Sequence, residues 1–150
     1  VFSATFAEVD LTALENSSFI IHRSGFDVVF SFAVLHHVPS SEMRLNILRT
    51  VHQLLKPAGL FVHSNWQFLN SAKLKARIQP WDVAAVSELD IDAGDYLLDW
   101  RSGGAGLRYV HHFDEHELKE LAEASGFHVK DLFYSDGETG NLGLYEVWLK

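Results

Sequence analysis

The sequence has no cysteine, only three prolines and one methionine, and no long apolar run. The absence of cysteine excludes disulfides, cysteine-based zinc sites and thiol catalysis. No apolar run reaches the roughly 18 residues that a membrane-spanning helix needs, and the first residues lack the basic and then apolar pattern of a signal peptide. A cytoplasmic protein with no membrane partner is therefore expected.

Basic residues are also scarce, since 12 Lys and Arg stand against 20 Asp and Glu for a net charge of −8. This balance disfavours a broad electrostatic surface for nucleic acid and predicts no DNA partner, although it allows a local basic patch. Hydrophobic residues make up 47% of the 150 residues, enough for a packed core. A single domain over residues 1–150 is predicted.

The first half of the chain predicts two strands joined by a helix. Phe26–Phe32 is nearly continuous in apolar residues, which is typical of a central strand buried on both faces. Pro39–Glu42 is a helix start, and apolar residues recur at helical spacing as far as Leu55. Lys56–Gly59 predicts a tight turn into a second strand over Leu60–Ser64. Strand, helix and strand together predict a parallel crossover.

The second half predicts an irregular segment, a helix and a hairpin. Residues 66–110 are predicted to be an inserted loop region with a short basic helix. Asp114 is the expected N-cap of a helix that ends at Gly126. Residues 127–133 and 144–149 alternate between apolar and polar, which predicts a β-hairpin. The fold class expected is α/β, with a parallel sheet that finishes in an antiparallel hairpin.

Two segments carry a resemblance to a known family. Phe26–Pro39 (FDVVFSFAVLHHVP) and Leu54–Gly59 (LLKPAG) resemble the middle of class I S-adenosylmethionine-dependent methyltransferases, with Ala58 in place of the first glycine of their turn. The resemblance implies a Rossmann-like sheet, S-adenosyl-L-methionine as cofactor and methyl transfer as the reaction. The family's glycine-rich loop is missing. The chain thus resembles the C-terminal portion of the domain, lacking the N-terminal βαβ unit.

Two further segments resemble one group within this family. Gly94–Trp100 (GDYLLDW) and Arg108–Phe113 (RYVHHF) are similar to segments of methyltransferases that esterify the carboxymethyl group on the wobble uridine of tRNA. Asp99 and Val110 replace a proline and a tyrosine of that pattern. The resemblance implies tRNA modification. A small-molecule methyltransferase is one alternative, and a non-catalytic module that pairs an exposed sheet edge with a partner subunit or in a homodimer is another.

The expected cofactor-binding residues follow predicted strands. They are Asp10, Leu11, Ser31, Phe32, Ala33 and His36. Thr5–Val9 predicts a short strand, and the resemblance places the family's adenine-contacting acidic residue at Asp10 after it. Ligands of open α/β sheets bind at the carboxyl ends of the strands, which is where Ser31 and its neighbours lie. A solvated turn for Asp10 and core packing for Phe32 stay open.

The expected catalytic residues are His36, His37, Arg108, Tyr109 and His111. Alternation places Arg108 and Val110 on one face of a strand, and Tyr109 and His111 on the other. An arginine can bind a carboxylate or phosphate, and tyrosine or histidine can stack on a base. A substrate carboxylate needs no general base, whereas a neutral nucleophile would require one of the histidines. No pattern of metal ligands is present, so no metal is predicted.

Overall fold

Two sheets organise the residues described by this computed structural model, which are residues 4, 6–16, 25–87, 91–101 and 104–150. The strand order of the larger sheet is β1 (Phe26–Phe32), β2 (Leu55–Trp66), β7 (Gly143–Leu149) and β6 (His128–Ser135). β1 and β2 are parallel, while β7 runs antiparallel to both of its neighbours. The predicted α/β fold with a parallel crossover and a final antiparallel hairpin is confirmed.

Two helices pack on one face of this sheet. They are α1 (Ser41–Leu54) and α3 (Glu115–Ser125), while the single-turn α2 (Ala72–Lys75) lies between them in the chain. The hydroxyl of Ser40 caps α1, and the carboxylate of Asp114 caps α3 by accepting the Glu117 N–H at 2.8 Å. Gly126 ends α3 in the left-handed region, with φ 92°. The apolar sides of α1 and α3 meet the sheet in one core around Phe61 and Trp148.

Among the described strands β1 lies at the edge of its sheet, and one of its faces is exposed, so the prediction of a strand buried on both faces is wrong. Val29 packs against the core, but Phe30 is 64% exposed and Phe32 is 52% exposed. Alternate side chains of a strand point to opposite faces, and α1 and α3 cover only one of them. On the other face an aromatic row runs from Phe30 through Phe32 and Tyr145 to Phe133, with successive ring centroids 5.2 to 6.3 Å apart.

A second sheet replaces much of the predicted loop region. It consists of the antiparallel strands β3 (Ile78–Gln79), β4 (Asp95–Trp100) and β5 (Gly106–His111), in that order. The prediction of a loop over residues 66–110 is wrong for these strands, because β4 and β5 pair with each other in antiparallel register. Lys73 and Lys75 lie in α2 as predicted. The division of the chain into one domain stays a prediction.

Two boundaries differ from the sequence prediction. Residues 6–9 form no strand, and a 3₁₀ segment follows at Leu11–Asn16. β2 begins at Leu55 and includes the predicted turn as a bulge, since the pairing with β1 shifts between Phe26 and Val28. Ala58 takes a left-handed conformation in this bulge, with φ 62°. Within the described ranges, no helix is both long and apolar enough to cross a membrane.

Ala58→Gly is expected to stabilise the protein. A residue with a Cβ is strained at this φ, and relief of that strain exceeds the chain entropy that glycine adds. We expect the free energy of unfolding, measured by urea denaturation, to rise by about 0.5–1 kcal/mol. The matched change Ala124→Gly on the exposed side of α3 should lower it by about 0.5–1 kcal/mol. Destabilisation by both substitutions would contradict the assigned strain.

Candidate functional site

The carboxyl end of β1 and the turn that follows form the centre of the candidate site. Ala33 is left-handed, with φ 55°, and its N–H donates to the backbone oxygen of Ser64 at 3.1 Å. This bond ties the chain leaving β1 to the neighbouring end of β2. The chain then enters the 3₁₀ helix Leu35–His37. The structure therefore brings the residues after β1 to the sheet edge at which ligands bind in open α/β folds.

The two adjacent histidines of this turn have different environments. His36 is 1% exposed, and its Nδ1 accepts the N–H of Trp66 at 3.2 Å. Burial, followed by the charge of His37, lowers the pKa of His36 to about 3. His37 is exposed, and its Nδ1 donates to the backbone oxygen of Tyr109 at 3.1 Å. His36 is thus a neutral, buried ring, while Nε2 of His37 is left to accept a proton or a hydrogen bond.

Arg108 of β5 lies beside this histidine pair. Its guanidinium carbon is 3.8 Å from the ring centroid of Trp100, and its charge contributes to lowering the pKa of both His36 and His37. In the part of the chain that the structure describes, no carboxylate forms an ion pair with Arg108. Burial and the charge of Arg77 lower the pKa of Arg108 itself. A guanidinium fixed on an aromatic ring and lacking an anion suits an anionic ligand.

Tyr109 and His111 point to the opposite side of β5, as the alternation predicts. The Tyr109 hydroxyl donates to Oδ1 of Asp95 at 2.6 Å and accepts from Arg44 at 3.0 Å. Burial, followed by the bond to Asp95, raises the pKa of Tyr109. His111 is fully buried, with its ring nitrogens bonded to Asp95 and Glu117. The catalytic role expected for Tyr109 and His111 stays a prediction, and their geometry favours positioning.

The partners of Tyr109 and His111 were not predicted from the sequence. Asp95 lies within the GDYLLDW segment, so a signal for it was present, whereas Arg44 and Glu117 have only ordinary helical positions. Arg44 is 1% exposed although it belongs to α1, a helix whose other charged residues are exposed. Only the packing of β4 and β5 against α1 and α3 reveals why these residues are needed.

Leu11 and Ser31 meet around an apolar cavity of about 190 Å³ between the 3₁₀ segment, β1 and α1. The other lining residues include Phe30, Val34 and Leu35. Asp10, which precedes the lining residue Leu11 in the sequence, is exposed. Its Oδ1 accepts hydrogen bonds from the hydroxyl of Thr12 at 2.7 Å and from the N–H of Thr12 at 2.9 Å. These bonds lower the pKa of Asp10. Phe32 is not among the residues that line the cavity.

A chain of buried polar side chains continues from His36 into the core. Asn65 forms a hydrogen bond that partly opposes the lowering of the His36 pKa. Its Nδ2 also donates to Nδ1 of His63 at 3.2 Å. Nε2 of His63 lies 3.4 Å from Oε2 of Glu146, which also accepts from Trp148 at 2.8 Å. Burial lowers the pKa of His63 to about 3 and raises that of Glu146 to about 7. This set of buried side chains is therefore uncharged near pH 6.

Within the described ranges, no group of three or more His, Asp or Glu side chains is arranged to hold a metal ion. The absence of a metal site stays a prediction from the sequence.

Comparison with known proteins identifies a family for most of the chain. Residues 4–132 match the family model described as a methyltransferase domain. A curated protein of Encephalitozoon cuniculi, which carries the name of a methyltransferase, is 33% identical over 106 residues. The match covers 71% of this chain and 46% of that protein. The chain thus spans about half the length of this curated relative.

Solved structures show the same fold. A Methanosarcina mazei protein titled as a methyltransferase dependent on S-adenosylmethionine has a TM-score of 0.64 at 24% identity, with 86% of this chain and 61% of that chain covered. The 1,6-didemethyltoxoflavin N1-methyltransferase of Burkholderia thailandensis has a TM-score of 0.55 at 21% identity, with 85% and 45% covered. That protein was crystallised with its substrate and S-adenosylhomocysteine.

Glu146→Gln is expected to stabilise the protein more at pH 8 than at pH 5. The folded pKa of about 7 lies above the ordinary value of 4.5, so the wild type loses stability as pH rises from about 4.5 to 7, whereas glutamine does not titrate. We expect the advantage of the variant in urea denaturation to grow by on the order of 2 kcal/mol between these pH values. The exposed pair member Glu120 provides the control Glu120→Gln, which should show little pH dependence. Parallel stability curves for Glu146→Gln and wild type would refute the raised pKa.

Proposed function

From the premise that this chain belongs to the methyltransferase family, we propose that the protein transfers the methyl group of S-adenosylmethionine to an oxygen nucleophile. The observation that carries the proposal is the position of Arg108, an unpaired cation beside His37 at the carboxyl edge of β1. The cofactor, when bound, supplies an already activated methyl group. The residues of the chain then need only bind the acceptor, orient it and exclude water.

The cavity beside Asp10 fits the adenine end of the cofactor. Leu11, Val34 and Leu35 offer apolar surface to a flat ring, and the second carboxylate oxygen of Asp10 is left to accept from an exocyclic amine. The described residues contain no glycine-rich loop that follows a strand and opens a helix. We therefore assign Asp10, Leu11 and Ser31 to the adenine end and no residue of this chain to the methionine end. Phe32, Ala33 and His36, the other residues expected at the cofactor, lie at the end of β1 and in the turn that follows it.

The acceptor that we propose is the carboxymethyl group of the wobble uridine in tRNA. The guanidinium of Arg108 can bind a carboxylate through two parallel hydrogen bonds, which would orient one oxygen for attack. Trp100 is 38% exposed and offers a ring face beside that guanidinium, on which a base can stack. A carboxylate oxygen is nucleophilic without loss of a proton, so the acceptor requires no base from His37 or His111.

A local basic groove supports a nucleic-acid substrate despite the net charge of −8. Lys73, Arg77 and Arg101 line a groove of about 480 Å³. Asp99 pairs with Arg77 at 3.0 Å and with Arg101 at 2.6 Å, so two cations share one carboxylate. Burial, followed by the charge of Arg77, lowers the pKa of Arg108, so Arg77 lies near Arg108. Phosphates of a tRNA bound at Arg108 would be attracted to this groove, and such a substrate implies a cytoplasmic location.

The edge of β1 supports a separate part of the proposal, a partner strand. β1 pairs only with β2 among the described strands, and its exposed rings of Phe30 and Phe32 adjoin the unpaired edge. An unpaired strand edge next to apolar surface favours addition of another strand. We propose that this edge pairs with a strand of a partner subunit or of a second copy of this chain.

Arg108→Gln is expected to lower methyl transfer to tRNA by about 10- to 100-fold, because it removes the charged fork that binds the carboxylate. The measurement is incorporation of labelled methyl from S-adenosylmethionine by full-length protein into tRNA that carries carboxymethyluridine. Arg49→Gln removes an exposed arginine of α1 as the matched control and should retain activity. If the wild type transfers no label to tRNA, the proposal of a tRNA substrate is wrong. If Arg108→Gln keeps full activity, the role assigned to Arg108 is wrong.

Lys73→Glu and Arg101→Glu are expected to weaken tRNA binding and to reduce its dependence on salt. Each lost phosphate contact should lower the slope of log affinity against log salt by about 0.7–0.9. Lys130→Glu makes the same charge change on the exposed side of β6 and should leave the slope near that of the wild type. Equal slopes for all variants, measured by fluorescence anisotropy, would exclude the groove from the interface.

A further inference from the structure

A buried charge network connects the second sheet to α1 and α3. Arg44 of α1, although 1% exposed, donates to the backbone oxygen of Val38 at 3.2 Å, to the Tyr109 hydroxyl at 3.0 Å and to Asp92 at 3.2 Å. Asp95 of β4 accepts from Tyr109 and from His111 at 2.6 Å each. Glu117 of α3 closes the network on the other side of the His111 ring, at 2.9 Å.

The hydrogen-bond geometry determines the charge of His111. Its Nδ1 faces Oδ1 of Asp95, and its Nε2 faces both oxygens of Glu117. A ring nitrogen without a proton would direct a lone pair at a carboxylate, so favourable contacts on both sides require a proton on each nitrogen. The imidazolium then lies between two carboxylates, with hydrogen bonds of the strong, charge-assisted kind.

The remaining charged groups around His111 are compatible with this assignment. Arg44 lies 3.8 Å from Oδ1 of Asp95, the oxygen that also faces His111, and is itself paired with Asp92 at 3.2 Å. His112 and Asp114 follow on the chain after β5, and the charge of His111 contributes to lowering the pKa of His112. The two cations Arg44 and His111 thus face the three carboxylates of Asp92, Asp95 and Glu117. Neither cation is left unpaired in the interior.

The His111 ring lies so close to Gly94 that only glycine fits at this position. A Cβ on Gly94 would lie 2.9 Å from Cε1 of His111, and the left-handed φ of 93° favours glycine there as well. The backbone oxygen of Gly94 accepts the His112 N–H at 2.7 Å. The start of β4 therefore packs directly on the ring and fixes its plane between Asp95 and Glu117.

The network also determines where the candidate site lies. Arg108 is the neighbour of Tyr109 on β5, and the backbone oxygen of Tyr109 accepts from Nδ1 of His37. The contacts of the Tyr109 and His111 side chains therefore fix the position of β5. This strand carries Arg108 and the Tyr109 carbonyl, whose hydrogen bond sets the His37 tautomer.

We propose that His111 is a buried imidazolium and that it acts, with Arg44, Asp95 and Glu117, as a set of positioning residues for Arg108 and His37. The part of this proposal that concerns catalysis rests on the proposed methyl transfer. The charge state of His111 does not, because it follows from the contacts of this chain alone. These residues are not expected to touch substrate, since His111 and Arg44 are buried beneath β5.

The charge state is tested by nitrogen-15 NMR of histidine side chains in the full-length protein at pH 7. We expect both nitrogens of His111 to carry protons, with slow exchange of both protons with water. Glu117→Gln removes one negative neighbour, and its partly exposed side chain makes this substitution the mildest in the network. The variant should show one unprotonated ring nitrogen, whereas Glu120→Gln, which is exposed on the same helix, should match the wild type. A singly protonated His111 in the wild type overturns the proposal.

The positioning role is tested by the kinetics of the same two variants. Glu117→Gln should lower kcat for tRNA methylation by about 10- to 100-fold through a small displacement of Arg108. The KM for S-adenosylmethionine should change less than twofold. Unchanged kcat, or a loss explained wholly by a lower melting temperature, overturns the positioning role. If the wild type methylates no tRNA, the proposed function fails, while the NMR result still decides the charge of His111.

Discussion

The buried guanidinium of Arg44 is the constraint on which the arrangement of the two sheets depends. An arginine removed from water has to be paired and hydrogen-bonded, or it destabilises the fold by several kcal/mol. Its partners come from outside its own helix, from the turn at Val38, from Asp92 and from Tyr109 of β5. The second sheet has only a small apolar core, around Phe68, Leu98 and Val110. Its position against α1 and α3 thus depends on polar contacts as much as on apolar packing.

Of the two sets of buried polar side chains beneath the candidate site, one is uncharged and the other is charged, and their surroundings explain the difference. His63 has Glu146 nearby, but both are desolvated and a ring contact with Trp148 takes the place of further polar partners, so burial favours the neutral forms. His111 has a carboxylate on each side, and pairing outweighs the cost of burial. The uncharged chain supports the strand ends, while the charged chain holds β5 in place.

The different roles of the β5 residues follow from the alternation of side chains between the two faces of a strand. Arg108 projects toward Trp100 and the histidine pair, whereas Tyr109 and His111 project into the charge network. One strand therefore presents an unpaired cation to the site and anchors it from behind. The resemblance of RYVHHF to a known segment indicated that these residues matter. It did not distinguish the residue placed for a ligand from the residues that hold it.

Local patterns in the sequence determined the family, the helices with their caps at Ser40 and Asp114, the stop at Gly126 and the antiparallel hairpin, because each depends on neighbours within a few residues. Tertiary structure alone decided that β1 is an edge strand with exposed rings, that β4 and β5 form a second sheet and that Arg44 and Glu117 complete the network. Burial and ion pairing depend on residues far apart in the chain, such as Arg44 and Tyr109, and no local pattern records that contact.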